Sequence, residues 1–416
     1  MGSTTAVIVG FDAVSPLGLA WEEQWARAVR GESGIGVLTR FPLTEDFPVR
    51  IAGQAPDIDR LDYPFLRPRE QACWRSPVFK YALLTVQRAL EKSGLEITAD
   101  IARRVAVTYS SAIGGIDAVL HADRLMISDG KWPHPYTNPN ACINMVGGKI
   151  SMHTGATGPI TATITACATG VTSMIIGAML LKEGRADVAI CGAVDFALVE
   201  PIVAGFATMN GAYAPKEGQA DETPAQASRP FSVNRRGFVI AEGAGAVILA
   251  TREFARANGL KHSVEIAGWG MTSDAHHFVA PHLETVRDCM DICLTHAGIQ
   301  PRDVQAVNAH ATSTRIGDKV EYEALRNVFS GRIPPVTANK SLFGHAMGAS
   351  SAIESVFAIQ GMMADKLPPT INYRPDPEME LDCVPDEHRS LVQEHVLKNA
   401  FGFGGCNSCV VFRRTE

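Results

Sequence analysis

The stretch Pro159-Ile-Thr-Ala-Thr-Ile-Thr-Ala-Cys-Ala-Thr-Gly-Val-Thr-Ser-Met-Ile-Ile-Gly-Ala-Met-Leu-Leu181 decides the fold and divides into two parts. Its first part, Ile160 to Thr165, is rich in β-branched residues and predicts a buried strand. Its second part, Thr169 to Leu181, is mostly apolar, contains no Pro and is too long for a strand, so it predicts a buried helix. The stretch as a whole therefore predicts a strand, a sharp turn and a buried helix.

Cys167 lies in the predicted turn, at the N-terminus of the predicted helix. The unpaired backbone N–H groups and the helix dipole at such a position favour a thiolate over a thiol. The same N–H groups could hold an oxyanion. Free cysteines are also among the most buried residues, so a core cysteine without chemistry is the alternative. The stretch alone leaves both interpretations open.

Composition and charge limit the class of protein. The chain has 416 residues, of which 46% are hydrophobic and 20% are charged, as is usual for a globular protein of two or three domains or one composite core. A net charge of −6 provides no basic field for nucleic acid or an anionic membrane. No apolar run of about 20 residues predicts a membrane span. Nine scattered cysteines indicate reduced thiols and a cytoplasmic location.

The second half of the chain repeats the order of elements in the first half. Strand 263–270 corresponds to strand 5–12, and the helix over 347–362 corresponds to the one over 169–181. We therefore expect two halves, residues 1–255 and residues 256–416, in a layered α/β fold with a pseudo-twofold axis. The two buried helices would lie between two sheets, and a site between the halves would draw residues from both.

Three polar side chains follow strands of the second half. His310 and Lys340 come at two strand ends, and His345 occupies the turn that corresponds to the turn of Cys167. A single histidine is more often structural than catalytic, but together these residues form a Cys-His-His set with a nearby Lys. Glu354 lies on the apolar helix that follows His345, and a buried carboxylate there requires a charged partner, for which Lys340 is the candidate.

The glycine-rich segment Asn399-Ala-Phe-Gly-Phe-Gly-Gly-Cys-Asn407 permits two interpretations. It is either a hairpin turn or a mobile gate whose backbone N–H completes an oxyanion hole.

These motifs resemble the elongating β-ketoacyl-[acyl carrier protein] synthases, ketosynthase II-like members of the thiolase superfamily. The resemblance extends from about residue 5 to about residue 413. Four motifs in the same order are highly specific, whereas a lone Thr-Ala-Cys would be weak. The matching segments are Thr165-Ala-Cys167, Asn308-Ala-His310-Ala-Thr-Ser-Thr314, Asn339-Lys-Ser-Leu-Phe-Gly-His345 and Phe401-Gly-Phe-Gly-Gly-Cys-Asn407, with Ala227-Ser-Arg-Pro230, Gly237 to Gly245 and Pro368-Pro-Thr-Ile-Asn372 in support.

The resemblance implies a thiolase-like layered α-β-α-β-α fold and a decarboxylative Claisen condensation. Cys167 would carry the acyl chain as a thioester, with the N–H groups of Cys167 and Phe403 binding the oxyanion. His310 and His345 would hold the carbonyl of malonyl carrier protein as carbon dioxide leaves. The other implied residues, in order, are Lys340 with the charge network Asp318, Glu321 and Glu354; the gate glycines Gly402 and Gly404; Thr312 and Thr314 for the phosphopantetheine arm; and Ile113, Phe206 and Phe403 for the acyl channel.

The implied partners are acyl carrier protein and a second subunit, in a homodimer or in a heterodimer with a chain-length-factor-like subunit. The resemblance implies no cofactor other than the phosphopantetheine of the carrier, and no metal. Arg67, Arg69 and Arg75 form a basic cluster that is either a solvated face or a docking patch for the acidic carrier.

Several residues depart from the family pattern, and none of them removes a catalytic group. They are Ser232, Arg236, Ala311, the pair Ser350-Ser351 and Cys406. They leave open whether the chain serves fatty acid synthesis or a specialised polyketide or polyene pathway. Two rival classes are a non-elongating chain-length-factor-like subunit, which lacks the cysteine, and a coenzyme A-dependent thiolase-like acyltransferase.

Overall fold

The computed structural model describes residues 6–215 and 223–415. Thr5, where the first strand was predicted to begin, and residues 216–222 lie outside this range. Its α-helices are α1 Trp21–Val29, α2 Pro68–Cys73, α3 Pro77–Ser93, α4 Ile116–Asp129, α5 Thr137–Ala141, α6 Asn144–Thr154, α7 Thr169–Lys182, α8 Glu200–Thr208, α9 Arg252–Ala257, α10 Leu283–Ala297, α11 Arg315–Val328, α12 Lys340–Phe343 and α13 Met347–Ala364.

The strands form one large sheet and two small pairs. They are β1 Ala6–Val14, β2 Ile35–Val37, β3 Ile51–Gly53, β4 Val105–Val107, β5 Val188–Phe196, β6 Glu242–Thr251, β7 Val264–Ser273, β8 Ala306–Asn308, β9 Val336–Thr337, β10 Lys366–Leu367, β11 Arg389–Ser390, β12 His395–Gly402 and β13 Cys406–Arg414. The pairs are β2 with β3 and β10 with β11.

The large sheet shows the internal repeat directly. Its order is β4-β5-β6-β1-β7-β13-β12-β8-β9, so β1, β6, β5 and β4 correspond to β7, β13, β12 and β8 on either side of one junction. That junction is short, since β1 and β7 pair over only three positions, from Ala6 with Ile266 to Ile8 with Val264. The sheet therefore consists of two half-sheets that meet at one edge, while the division of the chain into residues 1–255 and 256–416 stays a prediction.

The two apolar helices lie where the repeat predicts. Residues of α7 and α13 share one buried cluster with residues of β1, β5 and β6 and with residues of β7, β12 and β13. On the outer faces, α3 and α6 pack on the first half-sheet, and α10 and α11 pack on the second. Five layers result, and the layered α-β-α-β-α prediction is confirmed. Within the described residues, no helix is both long and apolar enough to span a membrane.

The predicted buried strand over residues 160–165 is wrong. Only Ile160 forms a bridge, with Val107, and the exposed fractions of Ile160 and Ile164 are 49% and 44%. The segment lies beyond β4 at the edge of the sheet, where no further strand of the described chain covers it. β-branched residues favour a strand only where neighbours pack against them. The helix predicted over 169–181 is confirmed as α7.

Candidate active site

Cys167 is buried in a single turn of 3₁₀ helix, Ala166–Ala168, immediately before α7. Ala166 has a φ of 47°, which lets the chain turn sharply into the helix. The end of β12 passes directly over this turn, because a Cβ atom on Gly402 would lie 2.2 Å from the carbonyl oxygen of Thr165. Only glycine permits this approach. The turn that carries Cys167 and the glycine-rich loop thus fit against each other.

His345 contacts the cysteine from the other half of the fold. Its Nε2 atom lies 3.0 Å from Sγ of Cys167, and its exposed fraction is 2%. It occupies the turn before α13, as Cys167 occupies the turn before α7, because the pseudo-twofold axis relates the two helices. The side chain is held by Ser350, whose Oγ atom lies 2.9 Å from Nδ1 of His345.

The resting cysteine is a thiol, which corrects the expectation of a favoured thiolate. Burial raises the pKa of Cys167 to about 12, although the cation of Lys340 and backbone N–H groups of Phe403 and Cys167 act in the opposite direction. The first N–H groups of α7 do not offset this effect, since those of Gly170 and Val171 donate to Ser351 Oγ. The N–H groups of Phe403 and Cys167 bond to the sulfur at rest, and their role as an oxyanion hole stays a prediction.

His310 lies beside the same site. Its ring centroid is 5.8 Å from that of His345 and 5.6 Å from that of Phe401. Burial lowers the pKa of both histidines well below the usual 6.5, and the cations of Lys340 and Lys398 lower it further. Both imidazoles are therefore neutral near pH 7, so each can donate one hydrogen bond and accept one.

Glu354 has two buried cationic partners. Lys340 bonds to Oε1, as the sequence predicted, and Lys398 bonds to Oε2 at 2.7 Å. All three side chains are at most 1% exposed. Sequence reasoning missed Lys398. The signal was available, because this lysine interrupts the apolar run of a strand from Val396 to Phe401, where an ionic group requires a partner.

Asp318 and Glu321 are buried, but they do not bind Lys340. Glu321 accepts hydrogen bonds from the N–H groups of His310 and Ala311, at 2.9 and 2.7 Å. Asp318 accepts one from the N–H of Thr312 at 3.0 Å, and burial raises its pKa to about 7. The two carboxylates thus fix the backbone of the loop that carries His310, rather than neutralising the lysine directly.

Lys340 reaches the same loop by its own contact. Its Nζ atom donates to the carbonyl oxygen of His310 as well as to Glu354. The lysine therefore connects α13 to the loop of His310. The structure brings the predicted group of Cys167, His310, His345 and Lys340 together from three separate segments of the chain.

Asp195, at the end of β5, is a second residue that sequence reasoning missed. Its carboxylate accepts from the Ser111 hydroxyl at 2.6 Å, from the Ile113 N–H at 3.0 Å and from the Ala349 N–H at 3.2 Å. It therefore connects the loop of Ile113 to the first turn of α13. A carboxylate inside the apolar run of β5 was the available signal.

A cavity of about 800 Å³ connects these groups to the surface. Cys167, His310 and His345 are in its wall, with both halves of the chain contributing. The residues predicted for the acyl channel and for the phosphopantetheine arm also line it: Ile113, Phe206, Phe403, Thr312 and Thr314. The ring centroids of Phe206 and Phe403 are 6.3 Å apart.

The glycine-rich loop is a tight hairpin turn whose tip lies over the cavity. Strand β12 ends at Gly402 and pairs there with Cys406, so only residues 403–405 form the turn. Gly404 and Gly405 have φ values of 84° and 73°, which other residues rarely adopt. The N–H of Gly404 donates to the carbonyl of Phe278 at 2.8 Å. The segment is therefore a hairpin turn, and it places Phe403 at the cavity wall. Its movement as a gate stays a prediction.

The basic cluster lies apart from the cavity. Arg67, Arg69 and Arg75 are exposed on α2 and its flanks, and none of them lines the cavity. Carrier docking at this cluster stays a prediction.

Comparison with known proteins identifies the same family that the motifs of the site resemble. The family model of the β-ketoacyl synthase N-terminal domain matches residues 4–255, and that of the C-terminal domain matches residues 263–374. A 3-oxoacyl-[acyl-carrier-protein] synthase 2 of Staphylococcus aureus (strain COL) is 34% identical over 416 residues, which cover 99% of this chain and 98% of the relative.

Two solved structures are similar over 100% of both chains at 27% identity. One is a type II polyketide synthase acyl carrier protein in complex with its ketosynthase bound to the hexaketide, with a TM-score of 0.88. The other is the ishigamide ketosynthase/chain length factor, with a TM-score of 0.89.

Proposed function

The chain belongs to the β-ketoacyl synthase family of acyltransferases, and we propose that it condenses an acyl thioester on Cys167 with malonyl carrier protein. The contact of His345 Nε2 with Cys167 Sγ at 3.0 Å, inside a cavity that His310 also lines, carries this proposal. It places a nucleophile and two neutral imidazoles around one volume, which is the arrangement that acyl transfer followed by carbanion chemistry requires.

The first half-reaction loads the cysteine. Sγ of Cys167 attacks the acyl carbonyl of an acyl carrier protein, and the N–H groups of Cys167 and Phe403 hold the oxygen of the tetrahedral intermediate. When the intermediate collapses, the pantetheine sulfur leaves and takes the proton of the thiol. A Cys167 thioester and a free carrier thiol result, so the step balances without an added reactant.

The second half-reaction makes the carbon nucleophile. Malonyl carrier protein loses carbon dioxide, and the electron pair of the broken C–C bond moves into an enolate of the thioester. Hydrogen bonds from His310 and His345 to the enolate oxygen stabilise its developing charge. Neutral imidazoles suit this role because they donate a hydrogen bond without transferring a proton irreversibly.

Condensation then joins the two units. The enolate carbon attacks the acyl carbonyl on Cys167 and the C–S bond breaks, so the β-ketoacyl group stays on the carrier and the departing Cys167 sulfur takes a proton from solvent. This step is supported by three buried charged residues, Lys340, Glu354 and Lys398. They hold the loop of His310 in place and keep a positive potential near the departing sulfur.

We propose that the cavity holds both substrates in the way the family resemblance implies. Thr312 and Thr314 would bond the phosphopantetheine arm, and Ile113, Phe206 and Phe403 would line the acyl channel. The reaction balances with carrier-bound substrates and one proton from solvent, so we propose no further cofactor. Nine free cysteines support our proposal that the protein acts in the cytoplasm.

The partners are an acyl carrier protein and a second subunit. We propose a homodimer or a heterodimer with a chain-length-factor-like subunit, and the mass of the native complex after co-purification distinguishes the two. The product is either a fatty acid or a polyketide or polyene chain. A purely non-elongating role is disfavoured, because the nucleophile and its two histidines are present and in contact.

The test is mass spectrometry of the protein after separate incubation with acyl carrier protein and with acyl coenzyme A. The proposal predicts an acyl group on Cys167 from the carrier. Loading from coenzyme A alone would favour a thiolase-like acyltransferase, and loading from neither would favour a non-elongating subunit.

A further inference from the structure

Ser350 is a fully buried serine in the first turn of α13. Its Oγ atom lies 2.9 Å from Nδ1 of His345 and accepts a hydrogen bond from the N–H of Ala346 at 2.7 Å. A buried hydroxyl requires a partner for its hydrogen, and that requirement determines the state of the histidine.

The donors and acceptors can be assigned one by one. The Ser350 hydroxyl has a single hydrogen, and among the described residues only Nδ1 of His345 lies within hydrogen-bond distance to accept it. If Nδ1 instead carried a hydrogen and donated to Oγ, the hydroxyl hydrogen would be buried without an acceptor. Such an unpaired group costs roughly 10-fold to 100-fold in the equilibrium between the two arrangements. The hydroxyl therefore donates to Nδ1.

This assignment fixes the opposite nitrogen. A neutral imidazole carries one hydrogen, so an accepting Nδ1 leaves the hydrogen on Nε2. Nε2 is the atom 3.0 Å from Sγ of Cys167. The ring thus presents an N–H to the reaction volume, where it donates to the sulfur at rest and to a substrate oxygen during decarboxylation.

The neighbouring serine holds the same geometry from the other side. Ser351 Oγ accepts hydrogen bonds from the N–H groups of Gly170 and Val171 in the first turn of α7, at 3.0 and 3.3 Å. This contact connects the helix that follows Cys167 to the helix that follows His345. Helix α13 therefore positions both partners of the Sγ–Nε2 contact: Ser350 holds His345, and Ser351 holds the helix that follows Cys167.

We propose that Ser350 is a positioning residue that fixes His345 in the Nε2–H form, so that His345 acts as a hydrogen-bond donor and not as the base for Cys167. This inference rests on the proposed condensation. Ser350 thus selects one of the two tautomers of the neutral imidazole. It does so without touching the substrate itself.

The experiment compares Ser350→Ala with the matched control Ser355→Ala. Ser355 is equally buried on α13, but its hydroxyl donates only to the carbonyl of Ser351, so its loss removes a buried hydroxyl without touching His345. Ser350→Thr keeps a hydroxyl and serves as the rescue variant. Each protein is assayed for loading by acyl carrier protein and, once loaded, for carbon dioxide release from malonyl carrier protein.

A second readout observes the ring directly. Nitrogen-15 NMR of histidine-labelled protein reports which imidazole nitrogen carries the hydrogen, with the His345 signals assigned from their loss in His345→Ala. The wild type should show a protonated Nε2 on His345. Ser350→Ala should shift this population towards Nδ1–H, whereas Ser355→Ala should leave it unchanged.

We expect Ser350→Ala to slow decarboxylation by roughly 10-fold to 100-fold, with Ser350→Thr restoring most of the rate and Ser355→Ala close to wild type. Unchanged decarboxylation and unchanged nitrogen signals in folded Ser350→Ala would overturn the inference, as would a wild-type His345 protonated on Nδ1. Absence of decarboxylation in the wild type would instead contradict the proposed function.

Discussion

Lys398 donates a hydrogen bond to Oε2 of Glu354 at 2.7 Å, and both side chains are fully buried. Lys340 bonds to the other carboxylate oxygen, so one anion stands between two cations in the interior. Burial lowers the pKa of Lys398, while the carboxylate of Glu354 opposes this effect. The group therefore keeps a positive potential behind the two histidines.

The arrangement predicts unequal costs for removing its members. Glu354→Gln leaves two buried ammonium groups without an anion and should lower the free energy of unfolding by about 3–5 kcal/mol. Lys398→Met leaves the Lys340–Glu354 pair intact and should cost less. Urea unfolding of the two variants at one protein concentration checks the order. An equal or larger cost for Lys398→Met would mean that Lys398 is the main partner of the carboxylate.

The two histidines of the site predict a loss of stability in acid. Burial holds the pKa of His310 and His345 well below 6.5 in the folded protein, so below that pH the unfolded chain takes up protons that the folded chain does not. Stability therefore falls as pH decreases below about 6.5, by about 1.4 kcal/mol per pH unit for each extra proton.

His345→Gln removes one of these titrating groups and should flatten the acid-side slope. The free energy of unfolding, measured across this pH range against wild type, checks it. Identical slopes would show that His345 takes up a proton in the folded protein.

The roles assigned to the histidines predict a separation of the two half-reactions. His310→Ala and His345→Ala should each permit acyl loading but slow decarboxylation by about 10²–10³, which is the cost of losing one oxyanion donor in comparable sites. Rapid-quench assays of loading and of carbon dioxide release measure each step. Normal decarboxylation by either variant removes that histidine from the donor role.

Gly402 packs closely against the turn that carries Cys167, and this contact predicts that a larger residue at position 402 will slow acyl loading. Gly402→Ala would place a Cβ atom 2.2 Å from the Thr165 carbonyl oxygen, so the gate turn or the Cys167 turn must shift and loading should slow. Gly148→Ala on α6 is the control, since nothing lies within 4 Å of its new Cβ atom. Wild-type loading by Gly402→Ala would show that the two turns are not held together.

The aromatic ring at the gate predicts an order of addition. Phe403→Ala should leave Cys167 reactive but allow malonyl carrier protein to decarboxylate without a prior acyl chain, because we propose that the ring closes over Cys167 until an acyl chain displaces it. Carbon dioxide release is measured with and without acyl donor. If Phe403→Ala depends on the acyl donor as strongly as wild type, the ordering arises elsewhere in the site.

The basic cluster provides a prediction about the carrier. Reversing the charges of Arg67, Arg69 and Arg75 should raise KM for the carrier steeply and leave the rate with a small thioester mimic unchanged. All three are exposed, so their replacement should not disturb the fold. An unchanged KM would assign them to a solvated face.

Much of the fold follows from local patterns, because the sequence repeats them. The apolar helices α7 and α13 are too long for strands, and their correspondence places Cys167 and His345 in equivalent turns. Residues 160–165 show the limit of the same reasoning. Their composition favours a strand, but burial depends on a neighbour that composition does not specify.

Site residues that belong to a sequence motif could be predicted. Site residues that reach the site only through a long-range contact could not. The partnership of Glu354 with Lys340 follows from the cost of a buried carboxylate, but Lys398 comes from a strand 44 residues later in the chain. The depressed acidity of Cys167 was likewise hidden, because the helix N-terminus suggests a thiolate and only the fold reveals the burial and the Ser351 contact that oppose it.

The most direct test of the account is intact-protein mass spectrometry of Cys167 through a single turnover. The protein is loaded by acyl carrier protein and then mixed with malonyl carrier protein while carbon dioxide is measured. The account predicts an acyl adduct on Cys167 that disappears on mixing, with one carbon dioxide released for each β-ketoacyl carrier formed and no adduct in Cys167→Ser. An adduct that persists after malonyl carrier protein is added, or condensation at the wild-type rate by Cys167→Ser, would contradict it.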